Sequence, residues 1–462
     1  MRGVVVAPQP LAAEVGAALL SEGGNAFDAA IGAAFAQMIT DPQMCGLGGF
    51  GCVTYVSAAR CEHAAFHARA GSRATADMWA ADFRGRTELG NYTLFDDHRS
   101  NLGHTSVGTP GVLAGLAHLH RFARLPWPTL IAPAVALARD GFATPDYVFD
   151  FVRRPPQPGM PDGELRLGYT AESRRLWCRS DGTLRQPGEP WTQPDAASTL
   201  EHLARHGMDD FYRGELAQQV ARELERGGGY VTIDDLRAYR VRVSPPVTGT
   251  FRGLRIGSSA PPASGISAVQ MLQVLDRFVP AVPGEPDTYV LLASAMREAF
   301  AERARAVADP DFVPVPIQEL TSAEWADRAA ERVRAGVQTA VPAAVGGEGT
   351  THVSTFDAHG NAVALTHTLG IFSGVVVPST GIALNSAMDL FDPLPGRPNS
   401  IAAGKARVSG MAPTIVFDGQ QPAFVSGAPG TNAIVTSVVQ VLAAAIDGEL
   451  GPLEAVAHPR VH

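Results

Sequence analysis

The 462-residue chain has few cysteines and few charges, and both shortages exclude classes of protein. Its four cysteines, Cys45, Cys52, Cys61 and Cys178, form no CxxC pair and no cysteine–histidine cluster with zinc spacing. We therefore expect reduced thiols, although a disulfide among the first three stays open. Charged residues make up only 18% of the chain and the net charge is −9. An acidic surface does not attract nucleic acid or an anionic membrane, so neither is an expected partner.

Long apolar segments are also missing. The longest, residues 433–446, is interrupted by polar residues and is too short to span a bilayer, so we predict a core helix. No secretory signal is visible before Pro8, which predicts a cytoplasmic protein, or an exported one if the chain has been trimmed. The glycine run at 46–51 follows a predicted helix and precedes a predicted strand, the reverse of a dinucleotide fingerprint. No cofactor is expected.

Hydrophobic periodicity predicts helices in the first part of the chain and strands in the last part. Asn25 is expected to cap a buried helix that runs to Ile39, with Asp28 in its first turn. The proline- and arginine-rich stretch 153–194 is interpreted as a solvated surface loop, with a border of the substrate entrance as the alternative. Beyond residue 350, strands are predicted at 352–358, 362–369, 374–377, 382–385, 413–417 and 422–426, and a helix at 432–446. Two strand-rich halves with flanking helices favour a two-sheet α+β sandwich.

The bond between Gly349 and Thr350 is the most informative point in the chain. Thr350 stands at the mouth of a predicted hairpin whose turn contains Gly360 and Asn361. A threonine hydroxyl is a poor nucleophile without an adjacent base, and its own α-amine is a base only if the chain is cut before it. The Ala/Val/Gly/Pro-rich segment 339–348 suits a stretch that strains for cleavage and then moves away.

Motifs along the whole chain resemble, in order, those of the γ-glutamyltranspeptidase family of N-terminal-nucleophile hydrolases. They are Gly23-Gly24-Asn25-Ala26-Phe27-Asp28-Ala29-Ala30, Gly46-Leu47-Gly48-Gly49-Phe50-Gly51, Val107-Gly108-Thr109-Pro110-Gly111, Asp210-Phe211-Tyr212-Arg213-Gly214, Pro261-Pro262-Ala263-Ser264-Gly265, Met411-Ala412-Pro413-Thr414-Ile415 and Gly427-Ala428-Pro429-Gly430. The resemblance implies a four-layer αββα sandwich built from two associated segments of one self-cleaved precursor, residues 1–349 and 350–462.

The resemblance also assigns the catalytic groups. Thr350 would attack the Gly349 carbonyl and later the substrate acyl carbon, and the hydroxyl of Thr368 would orient it. Gly430 and Thr431 precede the last long helix, where backbone N–H groups at the positive end of the helix dipole suit an oxyanion hole.

The substrate-binding positions depart from the family pattern. The residues that stand there are His67, Gly370, Ala387, Leu390, Ser409 and Gly410, and Thr431 replaces a glycine. The family's arginine clamp falls at His67, with Arg69 two residues on, and its glutamine and aspartate fall at Ala387 and Leu390. A site that has lost the partners of a zwitterion cannot bind it well, because unpaired buried charges are costly. We therefore expect a substrate other than glutathione.

The replacements predict a roomier, more apolar pocket for an uncharged or aromatic acyl group, while Arg69, Arg407 or His67 stay candidates for holding one carboxylate. The expected function is acyl transfer or amide hydrolysis on a small acyl compound, with a role in secondary metabolism and C–C cleavage left open. Alternatives are a genuine γ-glutamyl hydrolase or transpeptidase and a non-catalytic scaffold. Relatives usually continue past His462, so a missing sheet edge could favour pairing or a homo-oligomer. His352, His359 and His367 lack carboxylates at ligand spacing and are interpreted as strand-surface residues.

Overall fold

The computed structural model describes residues 3–88, 92–280, 282–341 and 349–462, with backbone only at 150 and 151. Most of the predicted strained segment, residues 342–348, therefore lies outside the described residues.

The strands are β1 (Gly3–Val6), β2 (Phe50–Ser57), β3 (Arg60–Phe66), β4 (Gly85–Arg86), β5 (Thr93–Leu94), β6 (Phe142–Ala143), β7 (Pro190–Trp191), β8 (Arg242–Ser244), β9 (Val247–Phe251), β10 (Leu254–Ser258), β11 (Thr351–Asp357), β12 (Ala362–Thr368), β13 (Val376–Val377), β14 (Ile382–Ala383), β15 (Thr414–Asp418) and β16 (Gln421–Ser426). The helices are α1 (Pro10–Ser21), α2 (Ala26–Thr40), α3 (Val112–His120), α4 (Trp127–Asp140), α5 (Asp146–Arg153), α6 (Gly163–Leu167), α7 (Ala171–Trp177), α8 (Pro194–His206), α9 (Asp210–Arg213), α10 (Glu215–Arg226), α11 (Ile233–Ala238), α12 (Gly265–Leu275), α13 (Pro286–Ala306), α14 (Ile317–Leu320), α15 (Ala323–Arg334), α16 (Ala433–Ile446) and α17 (Pro452–Ala457). Short 3-10 turns occur at His104–Ser106 and Ala387–Leu390.

Two antiparallel sheets form the centre of the molecule. The first has the order β1-β11-β12-β2-β3-β8, and the second has the order β16-β15-β10-β9. Each sheet contains strands from both sides of Gly349. This shared pairing joins the two predicted segments into one body. The expected α+β fold therefore does not divide into two independent domains at that bond.

The sheets face each other, and helices cover their outer faces. Helix α2 packs on β11 and β12, while α12 packs on β9 and β10 and also contacts α16. Between the sheets lies a small apolar cluster that contains Val56, Ala364, Ile415 and Phe417. The predicted four-layer αββα arrangement is confirmed.

Helix α2 illustrates how local sequence sets an element. The Asn25 side chain accepts hydrogen bonds from the amides of Phe27 and Asp28 at 2.8 and 3.2 Å, and the Asp28 carboxylate accepts the Asn25 amide at 2.7 Å. This reciprocal cap satisfies donors that a helix start leaves unpaired. Every residue of the helix is buried, as its apolar composition predicts.

The interpretation of residues 153–194 as a solvated loop was wrong in part. The stretch contains α6, α7 and β7, and Arg166, Trp177 and Trp191 in it are almost fully buried. The rings of Trp177 and Trp191 pack with their centroids 5.1 Å apart. Large aromatic side chains bury much apolar surface, so these two form a core despite the many prolines around them.

Two expectations from the opening composition can be checked directly. All four cysteines are free, with Cys45 and Cys52 buried, as predicted. Among the described residues, no helix is both long enough and apolar enough to cross a membrane.

Candidate active site

The two candidate threonines meet because of strand register. In the hairpin of β11 and β12, Thr351 pairs with His367, so Thr350, one residue before β11, faces Thr368. The Thr350 hydroxyl donates a hydrogen bond to Thr368 Oγ at 3.1 Å, and Thr368 Oγ also accepts the Gly370 amide at 2.9 Å. The second bond fixes the acceptor, so the Thr350 hydroxyl oxygen has a defined orientation.

The carbonyl oxygen of Gly349 is held by a backbone donor. The Gly430 amide donates to the Gly349 oxygen at 3.2 Å, just ahead of α16. The backbone φ angles are 99° at Gly349, 89° at Thr350 and 113° at Gly430. A positive φ is unfavourable for a β-branched residue, so the backbone is strained at Thr350 by about 1–3 kcal/mol.

A narrow pocket opens beside the Thr350 hydroxyl. Its lining consists of Tyr92, Thr350, Thr368, Gly370, Ile371, Asp389, Leu390, Arg407, Ser409, Gly410, Met411, Thr431 and Ile434. Eight of the residues named from the sequence, Arg407 among them, are thus brought together, and Gly430 lies next to them.

Three selected residues are placed elsewhere. His67 and Arg69 do not line this pocket, and Ala387 contributes its carbonyl to a neighbouring hydrogen bond rather than its side chain to the lining. Arg69 Nη1 lies 3.8 Å from the buried carboxylate of Asp309, and its Nη2 lies 3.8 Å from Asp311. Burial lowers the pKa of His67 well below its ordinary value, so its ring is neutral.

The sequence interpretation missed Asp389 and gave Arg407 only as one of several candidates. Both line the pocket and both are buried, at 1% and 6% exposure. The pocket wall thus contains a buried ion pair, with Arg407 Nε 3.4 Å from Asp389 Oδ1, beside Gly370 and Leu390. Asp389 stands directly before Leu390, and its place in a 3-10 turn, which directs it into the pocket, was not recognised.

A close backbone approach shapes the loop before α16, which contains Gly430 and Thr431. A Cβ atom on Gly410 would lie 1.8 Å from the Thr431 carbonyl oxygen, so only glycine fits there without movement of the loop. Thr431 itself has a φ of 52°. The absence of a side chain at Gly410 thus allows the loop before α16 to approach the backbone at Gly410 closely.

A buried polar network surrounds Thr351, the residue after Thr350. The Thr351 hydroxyl accepts the side-chain amides of Gln9 at 3.1 Å and Gln37 at 2.9 Å. Gln9 also donates to the carboxyl of Asp41, and His367 Nε2 lies 2.8 Å from Gln37 Oε1. Burial raises the pKa of Asp41 to about 7. Asp41 and Gln9 line a second cavity that also borders Gly349 and Thr350.

Of the three histidines interpreted as strand-surface residues, His359 is exposed in the turn between β11 and β12, but the other two are not on the surface. His352 and His367 are buried, and burial lowers the pKa of each to about 3, which keeps both neutral. His352 hydrogen-bonds Thr366 and Ser354 at 2.8 and 2.9 Å. Polar partners on the facing strands allow histidine inside the sandwich. In the described ranges, no group of three or more His, Cys, Asp or Glu side chains is placed to hold a metal ion.

Comparison with known proteins bears on this geometry. Residues 12–462 match the gamma-glutamyltranspeptidase family. The chain belongs to this family. It is 34% identical to the glutathione hydrolase proenzyme of Escherichia coli strain K12, over the whole chain and 81% of that protein. It is also 34% identical to the acylase ACY 1 proenzyme of Pseudomonas sp. strain SE83, over the whole chain and 82% of that protein.

Solved structures agree with the family assignment. The cephalosporin acylase of Bacillus halodurans superposes with a TM-score of 0.85 at 27% identity, covering 99% of this chain and 83% of that one. The gamma-glutamyltranspeptidase of Helicobacter pylori gives a TM-score of 0.65 at 29% identity over 72% of this chain and 92% of that one. The protein is therefore an enzyme of the hydrolase and transferase type found in this gamma-glutamyltranspeptidase family.

Proposed function

We propose that this gamma-glutamyltranspeptidase family member is a self-cleaving amidohydrolase or acyltransferase whose nucleophile is Thr350. Cleavage at the Gly349–Thr350 bond would leave residues 1–349 and 350–462 associated as one enzyme. The observation that carries the proposal is the convergence of two groups on one peptide bond. The nucleophilic hydroxyl is oriented by Thr368, and the carbonyl oxygen receives the Gly430 amide.

Self-cleavage would begin with addition of the Thr350 hydroxyl oxygen to the Gly349 carbonyl carbon. The Gly430 amide stabilises the negative charge that develops on the carbonyl oxygen, as oxyanion donors do. The C–N bond then breaks, and the nitrogen takes up the hydroxyl proton and becomes the Thr350 α-amine. Water hydrolyses the remaining ester, which gives a Gly349 carboxylate and restores the Thr350 hydroxyl.

The freed residue then holds nucleophile and base together. An α-amine with a pKa of about 8 accepts the hydroxyl proton near neutrality as Thr350 attacks the substrate acyl carbon. The leaving group departs with that proton and leaves an acyl ester on Thr350. Attack by water yields an acid, and attack by an amine transfers the acyl group. Thr368 would orient both reactions through the same hydrogen bond.

The acyl group is proposed to be small and not the γ-glutamyl group of glutathione. This view is supported by the absence of His67 and Arg69 from the pocket lining and by the apolar residues Ile371, Leu390 and Met411 in it. The similarity to an acylase and to a cephalosporin acylase supports amide substrates. Cleavage of a C–C bond and a role in secondary metabolism belong to the same proposal, since an acyl–Thr350 ester can form from either kind of bond.

A genuine γ-glutamyl hydrolase or transpeptidase is the second candidate. The 34% identity to a glutathione hydrolase proenzyme favours it. It predicts release of glutamate from a γ-glutamyl anilide, whereas the first candidate predicts faster turnover of anilides of other small acids.

Intact mass spectrometry of purified protein tests the nucleophile. The wild type should give two fragments that meet between Gly349 and Thr350, and their summed mass should exceed that of the full chain by one water. Thr350→Ala should remain uncut, while Thr350→Ser, which keeps a hydroxyl, should still be cut. A full-length wild type, or cleavage of Thr350→Ala at this bond, would contradict the proposal.

A further inference from the structure

A cavity of about 380 Å³ borders the bond that the proposed function cuts. Gly349 and Gly430 line this cavity but not the narrow pocket, whereas Thr350 lines both. The Gly349 carbonyl, whose oxygen accepts the Gly430 amide, is therefore reached from the cavity. Since one water molecule takes up roughly 30 Å³ in the liquid, the cavity has room for water beside this carbonyl.

One side chain in the cavity wall can accept a proton near neutral pH. Among the described lining residues, the ionisable ones are Asp41, Tyr147 and Arg154. Arg154 is a cation and has no acceptor atom, and burial raises the pKa of Tyr147 above its ordinary value. The remaining group, the Asp41 carboxyl, is 4% exposed and lies at the end of α2.

Two side-chain amides hold the Asp41 carboxyl. Gln9 Nε2 donates to Oδ2, and Gln43 Nε2 donates to Oδ1. No described cation forms an ion pair with Asp41 in addition to these bonds. Because both amides are donors, neither can accept a proton that Asp41 takes up. Such a proton would therefore find its acceptor in the cavity.

The direction of the Gln9 amide is set by groups farther from the cavity. Gln37 Nε2 donates to the His352 carbonyl at 3.2 Å and to Gln9 Oε1 at 2.6 Å. Since Gln9 Oε1 is used in this way, Gln9 Nε2 faces Asp41. The amide bonds favour the carboxylate, but burial opposes it more strongly and raises the pKa of Asp41 to about 7. A carboxyl that changes charge near the working pH suits a general base.

We infer that Asp41 is the general base for the water that hydrolyses the ester between Gly349 and Thr350. The inference rests on the proposed function, because it assumes that the Thr350 hydroxyl oxygen has already taken the acyl group. The water oxygen adds to the Gly349 carbonyl carbon while Asp41 takes one of the water protons. The bond from that carbon to the Thr350 oxygen then breaks, and the proton passes to the departing oxygen. The products are the Gly349 acid and the Thr350 hydroxyl, and Asp41 is again a carboxylate.

Replacing Asp41 by asparagine separates the two steps of self-cleavage. The acyl shift does not use this base, so Asp41→Asn should form the ester but hydrolyse it on the order of 100-fold more slowly than the wild type. The ester has the mass of the intact chain, but hydroxylamine at neutral pH cuts it and leaves a hydroxamate on Gly349. Intact mass spectrometry of folded Asp41→Asn should therefore show full-length protein that hydroxylamine splits before Thr350. The sequence has no Asn-Gly bond, which hydroxylamine also cuts.

The matched control is Asp357→Asn. Asp357 is 2% exposed, and its carboxylate accepts the Ala26 amide at 3.0 Å and the Asn361 side-chain amide at 2.8 Å. It lies at the other end of β11 from Thr350 and outside the cavity lining. This variant should be cut at the wild-type rate without hydroxylamine. Thr350→Ala should resist hydroxylamine, because it forms no ester.

The dependence of ester hydrolysis on pH gives a second measurement. The ionisable groups around Asp41 are Tyr147 and Arg154 in the cavity wall, Cys45, His352, His367 and the α-amine that the acyl shift frees on Thr350. Burial raises the pKa of Cys45 well above its ordinary value and lowers the pKa of both histidines to about 3, so none of these three changes charge between pH 6 and pH 8. The freed amine, with a pKa of about 8, is the rival base.

Ionisation of Asp41 should make wild-type ester hydrolysis faster as the pH rises, with a midpoint near pH 7. Asp41→Asn should lose this rise. Gln43→Met removes one hydrogen bond to the carboxylate but leaves the contacts of Gln9 and Thr351 in place, so it should move the midpoint to higher pH. Timed sampling of precursor, ester and fragments at each pH measures the midpoint.

The possible failures are distinguishable. A wild type that stays full-length and resists hydroxylamine refutes the proposed function itself. A cut wild type with an Asp41→Asn variant that is cut as fast, or whose rise with pH is unchanged, refutes only the role of Asp41. A folded Asp41→Asn that stays uncut and resists hydroxylamine also refutes that role, because the acyl shift would then need Asp41. If Asp41→Asn does not fold, Gln43→Met decides, and an unmoved midpoint refutes the inference.

Discussion

Replacing Thr368 by valine tests the geometry of self-cleavage most directly. Valine keeps the size and the β-branch of threonine but removes the oxygen that accepts the Thr350 hydroxyl at 3.1 Å and the Gly370 amide at 2.9 Å. The Thr350 hydroxyl then loses its orientation, and a buried amide loses its acceptor, which costs about 1–3 kcal/mol of folding stability. If the lost orientation of the Thr350 hydroxyl raises the activation free energy of cleavage by about 1.4–2.8 kcal/mol, cleavage slows roughly 10- to 100-fold.

The matched control is Thr366→Val, two residues earlier on the same face of β12. It makes the same chemical change at another fully buried threonine, and it removes a hydrogen bond to His352 instead of one to Thr350. Thr368→Ser is the rescue variant, because it restores the oxygen and should cleave within about fivefold of the wild type.

The assay is cell-free synthesis of each variant, followed by timed sampling and gel quantification of precursor and fragments. Thermal unfolding of the purified proteins separates a slow but folded variant from an unfolded one. Thr368→Val cleaving as fast as Thr366→Val, with both folded, would refute the role given to this hydrogen bond.

Three further predictions concern the surroundings of the site. Gly349→Ala should slow cleavage at least about tenfold. A Cβ atom would lie 1.8 Å from the Gly370 carbonyl oxygen and would move the scissile carbonyl away from Gly430. Fragments that accumulate as fast as in the wild type would contradict this prediction. The pKa of Asp41 is about 7 in the folded protein and 3.8 in the unfolded chain. Its ionisation should therefore lower the free energy of unfolding by roughly 4 kcal/mol in total as the pH rises from about 4 to 7. Asp41→Asn should remove that decline, and denaturant unfolding at pH 5 and pH 8 measures it; equal pH dependence in both proteins would argue against a neutral buried carboxyl. Arg69→Met should lower the unfolding free energy by about 1–2 kcal/mol through lost ion pairs yet leave substrate preference unchanged, and an altered turnover ratio of γ-glutamyl anilide to other anilides would return Arg69 to the site.

Much of the site could be predicted because it depends on local pattern. Alternation on both sides of the Gly360 turn predicts the hairpin, and the hairpin register then brings Thr350 opposite Thr368. The glycine and threonine before α16 occupy the helix N-terminus, where backbone donors are exposed. These relations need only strand period, turn position and helix start.

Other parts could not be predicted because they depend on packing between distant segments. His352 and His367 lie in segments whose residues alternate as those of a strand do. This alternation does not show whether a strand face contacts solvent or a second sheet. The sequence does not distinguish Arg407 and Asp309 from other charged residues, because it does not show which residues pair with them. The burial of Trp177 likewise depends on a contact with Trp191 across a loop rich in proline.

By itself, the sequence determined the family, the layered α+β fold and the threonine pair, because each depends on short-range order or on motifs that keep their sequence spacing. Tertiary structure alone decided which charged side chains line the pocket beside Thr350. In the folded chain, Arg69 pairs with Asp309 and Asp311. Arg407 and Asp389 lie in the pocket wall, and His67 lies outside the pocket lining. The reason is physical: the electrostatic environment of a pocket is a sum over groups that are distant in sequence, and burial determines how strongly each of them acts.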